Sequence, residues 1–286
     1  MSSTLTTRVL LGCGVAVAVA VTGVVLWRYR PLPFVVADAP PSPTATVPAA
    51  APAAPAQAPA SAVEPAIRYP IEAAASEPET AMPALDVQQA LVDLLGRPAV
   101  LKQLQLDELP RRIVATVDNL GRSHAPAALW PVNPAPGRFL VEEHGGTRSI
   151  SPANAARYAP LVAMVDGMNT ERAFELYVRM YPMLQRAYAE IGFPNRYFND
   201  RLVEVIDQLL ATPVPDERLE VRLTEVKGPI PSARPWVRYE LADPALESLT
   251  PGQKMLLRVG PAHERRLKAK LAEFRRALTR EADAKR

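Results

Sequence analysis

An uncharged run of about nineteen apolar and small residues, Val9–Trp27, constrains this chain most strongly. A helix needs about 20 mainly apolar residues to cross the hydrocarbon core of a bilayer. Arg28 and Arg30 follow the run, and Trp27 at its end is typical of the aromatic residues that lie at a membrane interface. The pattern predicts a transmembrane helix over residues 9–27, preceded by a short tail at 1–8.

Three other interpretations of the run are weaker. A signal peptidase site needs small residues directly after the apolar stretch, but Ala37 and Ala39 come about ten residues later. A lipoprotein box ending at Cys13 would have only Val9–Gly12 as its apolar segment, and the hydrophobic run continues beyond it. A buried core helix is the third interpretation, but the unbroken length and the terminal aromatic residues favour a span.

The composition changes abruptly to proline and alanine after the span, and Asp38 and Glu64 are the ionisable residues between Pro31 and Ala66. Repeated prolines fix φ and remove backbone donors, which excludes helix and favours polyproline II. At about 3.1 Å per residue such a stalk reaches up to roughly 100 Å. The sequence therefore predicts a disordered Pro/Ala-rich linker over residues 28–66.

Charge counting does not decide the orientation of the span, since Arg8 stands on one side and Arg28 and Arg30 on the other. The linker lacks Lys and Arg after Pro31, which favours export. We expect a single-pass protein of the bacterial inner membrane with a periplasmic soluble domain; a cytoplasm-facing domain is the alternative. Small residues four apart, at Gly12, Ala16 and Ala20, permit close approach of two spans, but a solitary span is the preferred interpretation because alanine is abundant throughout the chain.

Of the 33 basic and 30 acidic residues, five precede residue 67: Arg8, Arg28, Arg30, Asp38 and Glu64. The remaining part carries a net charge near +2, which is poor evidence for nucleic-acid binding. The single cysteine, Cys13, lies in the predicted span, so the domain has neither disulfides nor thiolate metal sites.

Caps and apolar stripes predict one mainly α domain over residues 67–280, with a frayed tail at 281–286. The predicted helices are 87–95 after a cap at Asp86, 111–120 between Pro110 and Gly121, 154–166, a long helix from Thr170 to Gly192, 199–211, a helix capped by Thr250 that ends at Gly260, and a terminal helix with the stripe Leu267, Leu271, Phe274 and Leu278. Pro182 predicts a kink or break near Val178 in the long helix.

One or two small β-hairpins complete the predicted fold. Residues 139–143 and 147–150 flank Gly145-Gly146, a sequence typical of a tight hairpin turn. Alternating apolar residues at 219–223 and the stretch 236–241 predict two further strands that pair.

The terminal helix is basic, with nine Lys or Arg against four acids from Pro261 onward. One interpretation is a helix that packs its leucine stripe on the domain and solvates its basic face. The other is attraction to anionic lipid headgroups or to an acidic polymer of the envelope.

The strongest candidate for a binding site is Tyr197, Asn199, Asp200 and Arg201, at the start of a buried helix. In a structural role, Asn199 or Asp200 caps the helix and Arg201 neutralises a carboxylate. In a functional role, the group lines a groove that receives a peptide, glycan or partner loop, and the Arg fork recognises a carboxylate. Asp118 and Asn119 contribute to such a groove or merely end a helix.

No catalytic or metal-binding residues emerge from the sequence. His263-Glu264 resembles part of a zinc-protease motif, but Leu267 occupies the place of the second histidine. The other histidines, His124 and His144, have no acidic or thiol neighbours at ligand spacing. Gly252-Gln253-Lys254 lacks the preceding glycine of a phosphate-binding loop. We therefore expect no metal and no small-molecule cofactor.

Several short motifs together resemble the bacterial domain-of-unknown-function family 3014, whose members are membrane-anchored proteins with variable stalks. The resemblance covers roughly residues 69–278, and it implies no catalytic residue. The motifs are Asn154 with Arg157-Tyr158, Tyr181-Pro182, the run 197–202, Leu209 to Pro213, Ala242-Asp243-Pro244, Leu246-Glu247, Gly252-Gln253-Lys254 and Leu257 to Pro261, where Val259 stands in place of an expected methionine.

These observations predict a membrane-tethered binding or scaffolding module of the bacterial cell envelope. Its predicted partners are the bilayer, through residues 9–27, and an envelope protein or polymer. Two other classes remain: a hydrolase or lyase acting on an envelope polymer, which needs a cleft with two acids about 5 to 9 Å apart, and a cytoplasm-facing regulatory protein.

Overall fold

The computed structural model describes residues 66–71, 84–224 and 237–284. The predicted span and nearly all of the linker lie outside the described residues. Within the described ranges, none of the helices is both long and apolar enough to cross a bilayer.

Nine α-helices and one 3₁₀ turn make up most of the described residues, so the mainly α prediction is confirmed. The helices are α1 (Ala84–Leu95), α2 (Arg97–Gln103), α3 (Leu109–Leu120), α4 (Asn154–Asp166), α5 (Thr170–Glu190), α6 (Phe198–Leu210), α7 (Pro244–Glu247), α8 (Pro251–Val259) and α9 (Pro261–Ala284). The 3₁₀ turn is Ala127–Leu129.

Two antiparallel hairpins accompany the helices, as predicted. β1 (Val141–His144) pairs with β2 (Thr147–Ile150), and Gly145 and Gly146 between them have φ of 59° and 82°. This left-handed backbone suits a two-residue hairpin turn. β3 (Val221–Leu223) pairs with β4 (Tyr239–Leu241). An isolated bridge between Ser149 and Glu220 places the two hairpins side by side.

Two local predictions need correction. α1 begins at Ala84, so Asp86 lies in the first turn rather than at the N-cap, where its carboxylate still complements the helix dipole. α5 runs without a break from Thr170 to Glu190 through Pro182, so the predicted break is wrong, while the predicted kink stays a prediction. The proline removes one backbone donor, but the helix buries Tyr177, Tyr181, Leu184 and Tyr188 nearly completely, and this packing keeps it continuous.

The core forms where α9 lies against α4, α5 and α6, and where α3 lies against α5 and α6. The predicted stripe of α9 is buried, with Leu267, Leu271, Phe274 and Leu278 each at most 2 % exposed. Burying side chains of this size contributes about 1.5–3 kcal/mol each. α6 is buried on most of its surface, so its first turn is fixed firmly in the core.

The basic residues of α9 contact the domain. Arg266 pairs with Asp166 at 2.6 Å, Arg275 pairs with Asp207, and Lys268 donates to the carbonyl of Thr212 at 2.6 Å. These contacts support the packing interpretation of the terminal helix. Attraction to lipid or to an acidic polymer stays a prediction.

Candidate binding site

The predicted polar cluster lies at the start of α6, but it does not cap the helix. Tyr197 is the N-cap residue, and its side chain makes no capping hydrogen bond. The side chains of Asn199 and Asp200 turn to other partners, so the predicted capping role is wrong.

Asp200, Tyr197 and Asn199 bind the backbone of residues 68–71 instead. The carboxylate of Asp200 accepts hydrogen bonds from the amides of Arg68, at 2.9 Å, and Tyr69, at 2.8 Å. The Tyr197 hydroxyl accepts from the amide of Ile71 at 2.7 Å, and the Asn199 amide donates to the carbonyl of Tyr69 at 2.9 Å. We call these three side chains the clasp. Hydrogen bonds to a carboxylate are stronger than neutral ones, so Asp200 is its strongest member.

The clasp rests on a buried layer of tyrosines. Asn199 is fully buried, and its side-chain oxygen accepts from the Tyr177 hydroxyl at 2.9 Å. Its backbone amide donates to the Tyr181 hydroxyl at 3.2 Å. Burial raises the pKa of both tyrosines far above the ordinary value, so both hydroxyls keep their protons. The layer therefore holds Asn199 in one orientation.

Arg201 has a different role from the rest of the cluster. Its Nε lies 3.1 Å from a carboxylate oxygen of Asp118, and it also donates to the Asp118 carbonyl at 2.8 Å. Asp118 is 5 % exposed and also pairs with Arg122 at 2.6 Å. Arg201 thus fastens the end of α3 to α6. Asn119 donates to the carbonyl of Ala115 within α3, which fits the helix-end interpretation.

A polar cleft with a volume of about 360 Å³ opens beside the clasp. The side chains of Arg68 and Arg196 are on its wall, and neither takes part in any ion pair found among the described residues. The cleft is lined by Ala66, Arg68, Tyr188, Arg196, Tyr197, Asp200, Arg201 and Glu204.

The hydroxyl of Tyr188 is the buried polar group of this cleft. It has no hydrogen-bond partner among the residues described, although the side chain is fully buried. Burial raises its pKa, and the charges of Asp118 and of three nearby arginines also act on it. The hydroxyl is therefore a protonated donor without an acceptor, and leaving such a group unsatisfied costs about 1–3 kcal/mol.

The two acids of the cleft both have partners. Both oxygens of Asp200 accept backbone hydrogen bonds, and Glu204 pairs with Arg201 at 2.9 Å. In the described ranges, no group of three or more His, Cys, Asp or Glu side chains is arranged to hold a metal ion.

Sequence reasoning missed Arg68, Tyr188 and Arg196. Arg196 directly precedes the recognised cluster, and Arg68 follows the end of the linker, so both had a positional signal. Tyr188 had none, because it lies among several buried tyrosines of α5 and resembles core.

Replacing Asp200 by Ala should release residues 68–71 without unfolding the domain. The loss of hydrogen bonds to a charged acceptor, worth about 1.5–3 kcal/mol, should lower the protection of the Arg68 and Tyr69 amides about tenfold or more. Hydrogen exchange followed by mass spectrometry measures this. Asp207→Ala, on the same helix, should leave these amides protected. Unchanged exchange in the Asp200 variant would contradict the clasp.

The described residues form a helical domain with two small hairpins that clasps the segment directly after a Pro/Ala-rich stretch. The chain belongs to the family described as Protein of unknown function (DUF3014), whose sequence model matches residues 109–275, more than half of the chain. The match includes the clasp and α8, whereas residues 66–71 precede it. No curated protein and no solved structure matches the chain.

Proposed function

We propose that this protein is a membrane-tethered binding or scaffolding module of the bacterial cell envelope, and that its polar cleft holds an anionic group of an envelope protein or polymer. In this proposal residues 9–27 cross the inner membrane once and the domain lies in the periplasm. The single observation that carries the binding role is the cleft, whose Arg68 and Arg196 lack acidic partners among the described residues.

Arginine suits such a site because its planar guanidinium presents several donors to a carboxylate or phosphate. Tyr188, whose hydroxyl is a buried donor without an acceptor among the described residues, also lines the cleft. An anion in the cleft would neutralise arginine charge that has no acidic partner among the described residues.

The position of the cleft supports the tether. Ala66, the last residue of the predicted linker, and Arg68 both line the cleft, and the clasp fixes this segment to α6. A stalk that ends at this segment places the cleft at the junction between the stalk and the domain. The partner is then held at a distance from the bilayer set by the length of the linker.

A photoreactive residue at Ala66, in the full-length protein in intact cells, tests the proposal. Ala66 is exposed and lines the cleft, so a bound partner should form a covalent adduct there. The double variant Arg68→Ala/Arg196→Ala should lose most of the adduct, because an exposed anion contact is worth about 1 kcal/mol per arginine. Folding should be unaffected, since surface substitutions usually change stability by less than about 0.5 kcal/mol.

Arg172→Ala/Arg186→Ala removes the same charge from exposed positions of α5 and should retain the adduct. An adduct that survives the loss of Arg68 and Arg196 would refute the binding role of the cleft.

The same cells can test the membrane anchor, since carbonate-washed membranes should retain the intact chain. Its release into the supernatant would refute the anchored half of the proposal.

A further inference from the structure

A second cavity, with a volume of about 280 Å³, lies where α8 meets α9. It shares no lining residue with the polar cleft. Its walls are mainly apolar and include Ile150, Ala155, Leu219 and Leu257, from β2, α4, the segment before β3 and α8. The first turn of α9 closes it with Pro261, Ala262, His263 and Glu264.

Glu264 is the exceptional residue of this cavity. It is 0 % exposed, and neither of its carboxylate oxygens has a hydrogen-bond partner in the part of the chain that is described. Lys268 approaches one oxygen to 3.9 Å, which is too far for a hydrogen bond, and it donates instead to the carbonyl of Thr212 at 2.6 Å. A buried carboxylate without donors is costly, because burial removes its water and supplies no replacement.

His263 adds a third acceptor. Its Nε2 lies 3.0 Å from the carbonyl oxygen of Ala155, so in the neutral ring Nε2 carries the proton and donates to that oxygen. Nδ1 is then an acceptor, and it is buried without a partner among the described residues. Two adjacent residues of the cavity lining thus contain three buried acceptor atoms without hydrogen-bond partners.

Unused acceptors, rather than net charge, favour a ligand that donates hydrogen bonds. Asp216, Glu217 and Glu264 line the cavity together with Arg218 and Arg258, and the charges of Lys268 and Arg265 also act on Glu264. Arg218 pairs with Glu142 at 3.3 Å, and Arg258 donates to the carbonyl of Tyr239 at 3.1 Å, so both arginines have partners in the domain. The acceptors of Glu264 and His263 have no hydrogen-bond partner among the described residues.

We propose that this cavity binds a compact organic ammonium, whose N–H groups donate to Glu264 and His263 and whose apolar body packs on Leu257 and Ile150. A primary ammonium carries three donors, which equals the number of unused acceptors. The volume of about 280 Å³ lies just below the usual range of ligand pockets, about 300–1,000 Å³, so the body is about the size of one ring.

Benzylamine and benzyl alcohol are the matched probes, because they share an apolar body and differ in the ammonium. Titration of the full-length protein in nanodiscs at pH 8, followed by NMR of the probe, should show binding of benzylammonium about tenfold or more tighter than the alcohol, since hydrogen bonds to a carboxylate contribute about 1.5–3 kcal/mol. Equal affinity for the two probes, or binding of neither, would overturn the proposal.

Glu264→Gln should abolish the preference for the amine, because it removes the charge while keeping nearly the same shape. The matched control is Glu171→Gln, an exposed position of α5 outside the cavity, which should retain the preference. A Glu264→Gln protein that still prefers the amine would show that this carboxylate does not hold the ligand. The site stands apart from the polar cleft, so Arg68→Ala/Arg196→Ala should leave amine binding unchanged, and failure of one proposal does not imply failure of the other.

Discussion

Replacing Glu264 by Gln should raise the free energy of unfolding by about 3 kcal/mol at pH 8 and change it little at pH 4. Burial raises the pKa of this carboxyl from 4.5 to about 7, and the nearby charges of Lys268 and Arg265 only partly oppose the shift. Each pKa unit corresponds to about 1.36 kcal/mol between the two protonation states. The glutamine remains neutral at all pH values, so it avoids the cost of a buried charge.

The direction with pH follows from the raised pKa. Below pH 4.5 the carboxyl is protonated in both the folded and the unfolded chain and costs nothing. Between pH 4.5 and about 7 the unfolded chain releases the proton and the folded chain keeps it, so stability falls as the pH rises. Above about pH 7 the loss is complete. Glu264 therefore destabilises the native protein most under alkaline conditions.

Urea unfolding of the full-length protein in nanodiscs at pH 4, 6 and 8 measures this effect as the difference between the variant and the native protein. Glu171→Gln, whose carboxylate is exposed and pairs with Arg280, should show no comparable gain. A Glu264→Gln protein that is no more stable at pH 8 would mean that the carboxylate is solvated in the native state. A gain in stability with a loss of amine binding would separate folding from ligand recognition at this residue.

Local signals predicted much of the fold. Thr250 and Gln253 form a capping box that starts α8, and the sequence Thr-Pro-Gly-Gln is typical of such a box. α4 has the predicted bounds, and the two glycines at 145 and 146 correctly located the first hairpin. Each of these features is determined by residues a few positions apart, so the sequence contains what is needed to infer them.

The residues that contact the candidate site could not be predicted from the sequence, because they are distant from it in the chain. Asp200 binds amides that lie 131 and 132 positions away, and no periodicity or cap connects them. The polar cluster drew attention because four polar or aromatic groups at the start of an apolar helix are unusual, and its role as a binding site stays a prediction. Composition could not show that residues 68–71 bind there.

The burial of Glu264 is the other property that could not be inferred from the sequence. In the sequence, Glu264 and His263 resemble an incomplete metal motif, and a charged residue near the start of a basic helix is typical of a solvent-exposed position. Its position inside the domain depends on how α9 meets α6, α4 and α8, which only the packed fold determines. The unsatisfied acceptors became visible only with that packing.

The buried acid at the end of α3 illustrates a stabilising network that the sequence indicated only in part. Asp118 lies between Arg201, whose side chain is 13 % exposed, and Arg122, whose side chain is 45 % exposed. We expect Asp118→Ala to lower the free energy of unfolding by about 3 kcal/mol, because Arg201 loses its buried acidic partner and keeps only the half-exposed Glu204. Urea denaturation measures the loss.

Arg122→Ala tests whether the effect belongs to the buried pair, and it should cost less than about 1 kcal/mol because Arg122 is nearly half exposed. The double variant Asp118→Ala/Arg201→Met should recover at least about 1 kcal/mol of the loss, since a neutral apolar side chain replaces a guanidinium that has lost its buried partner. If Asp118→Ala costs no more than Arg122→Ala, the attachment of α3 to α6 depends on apolar packing.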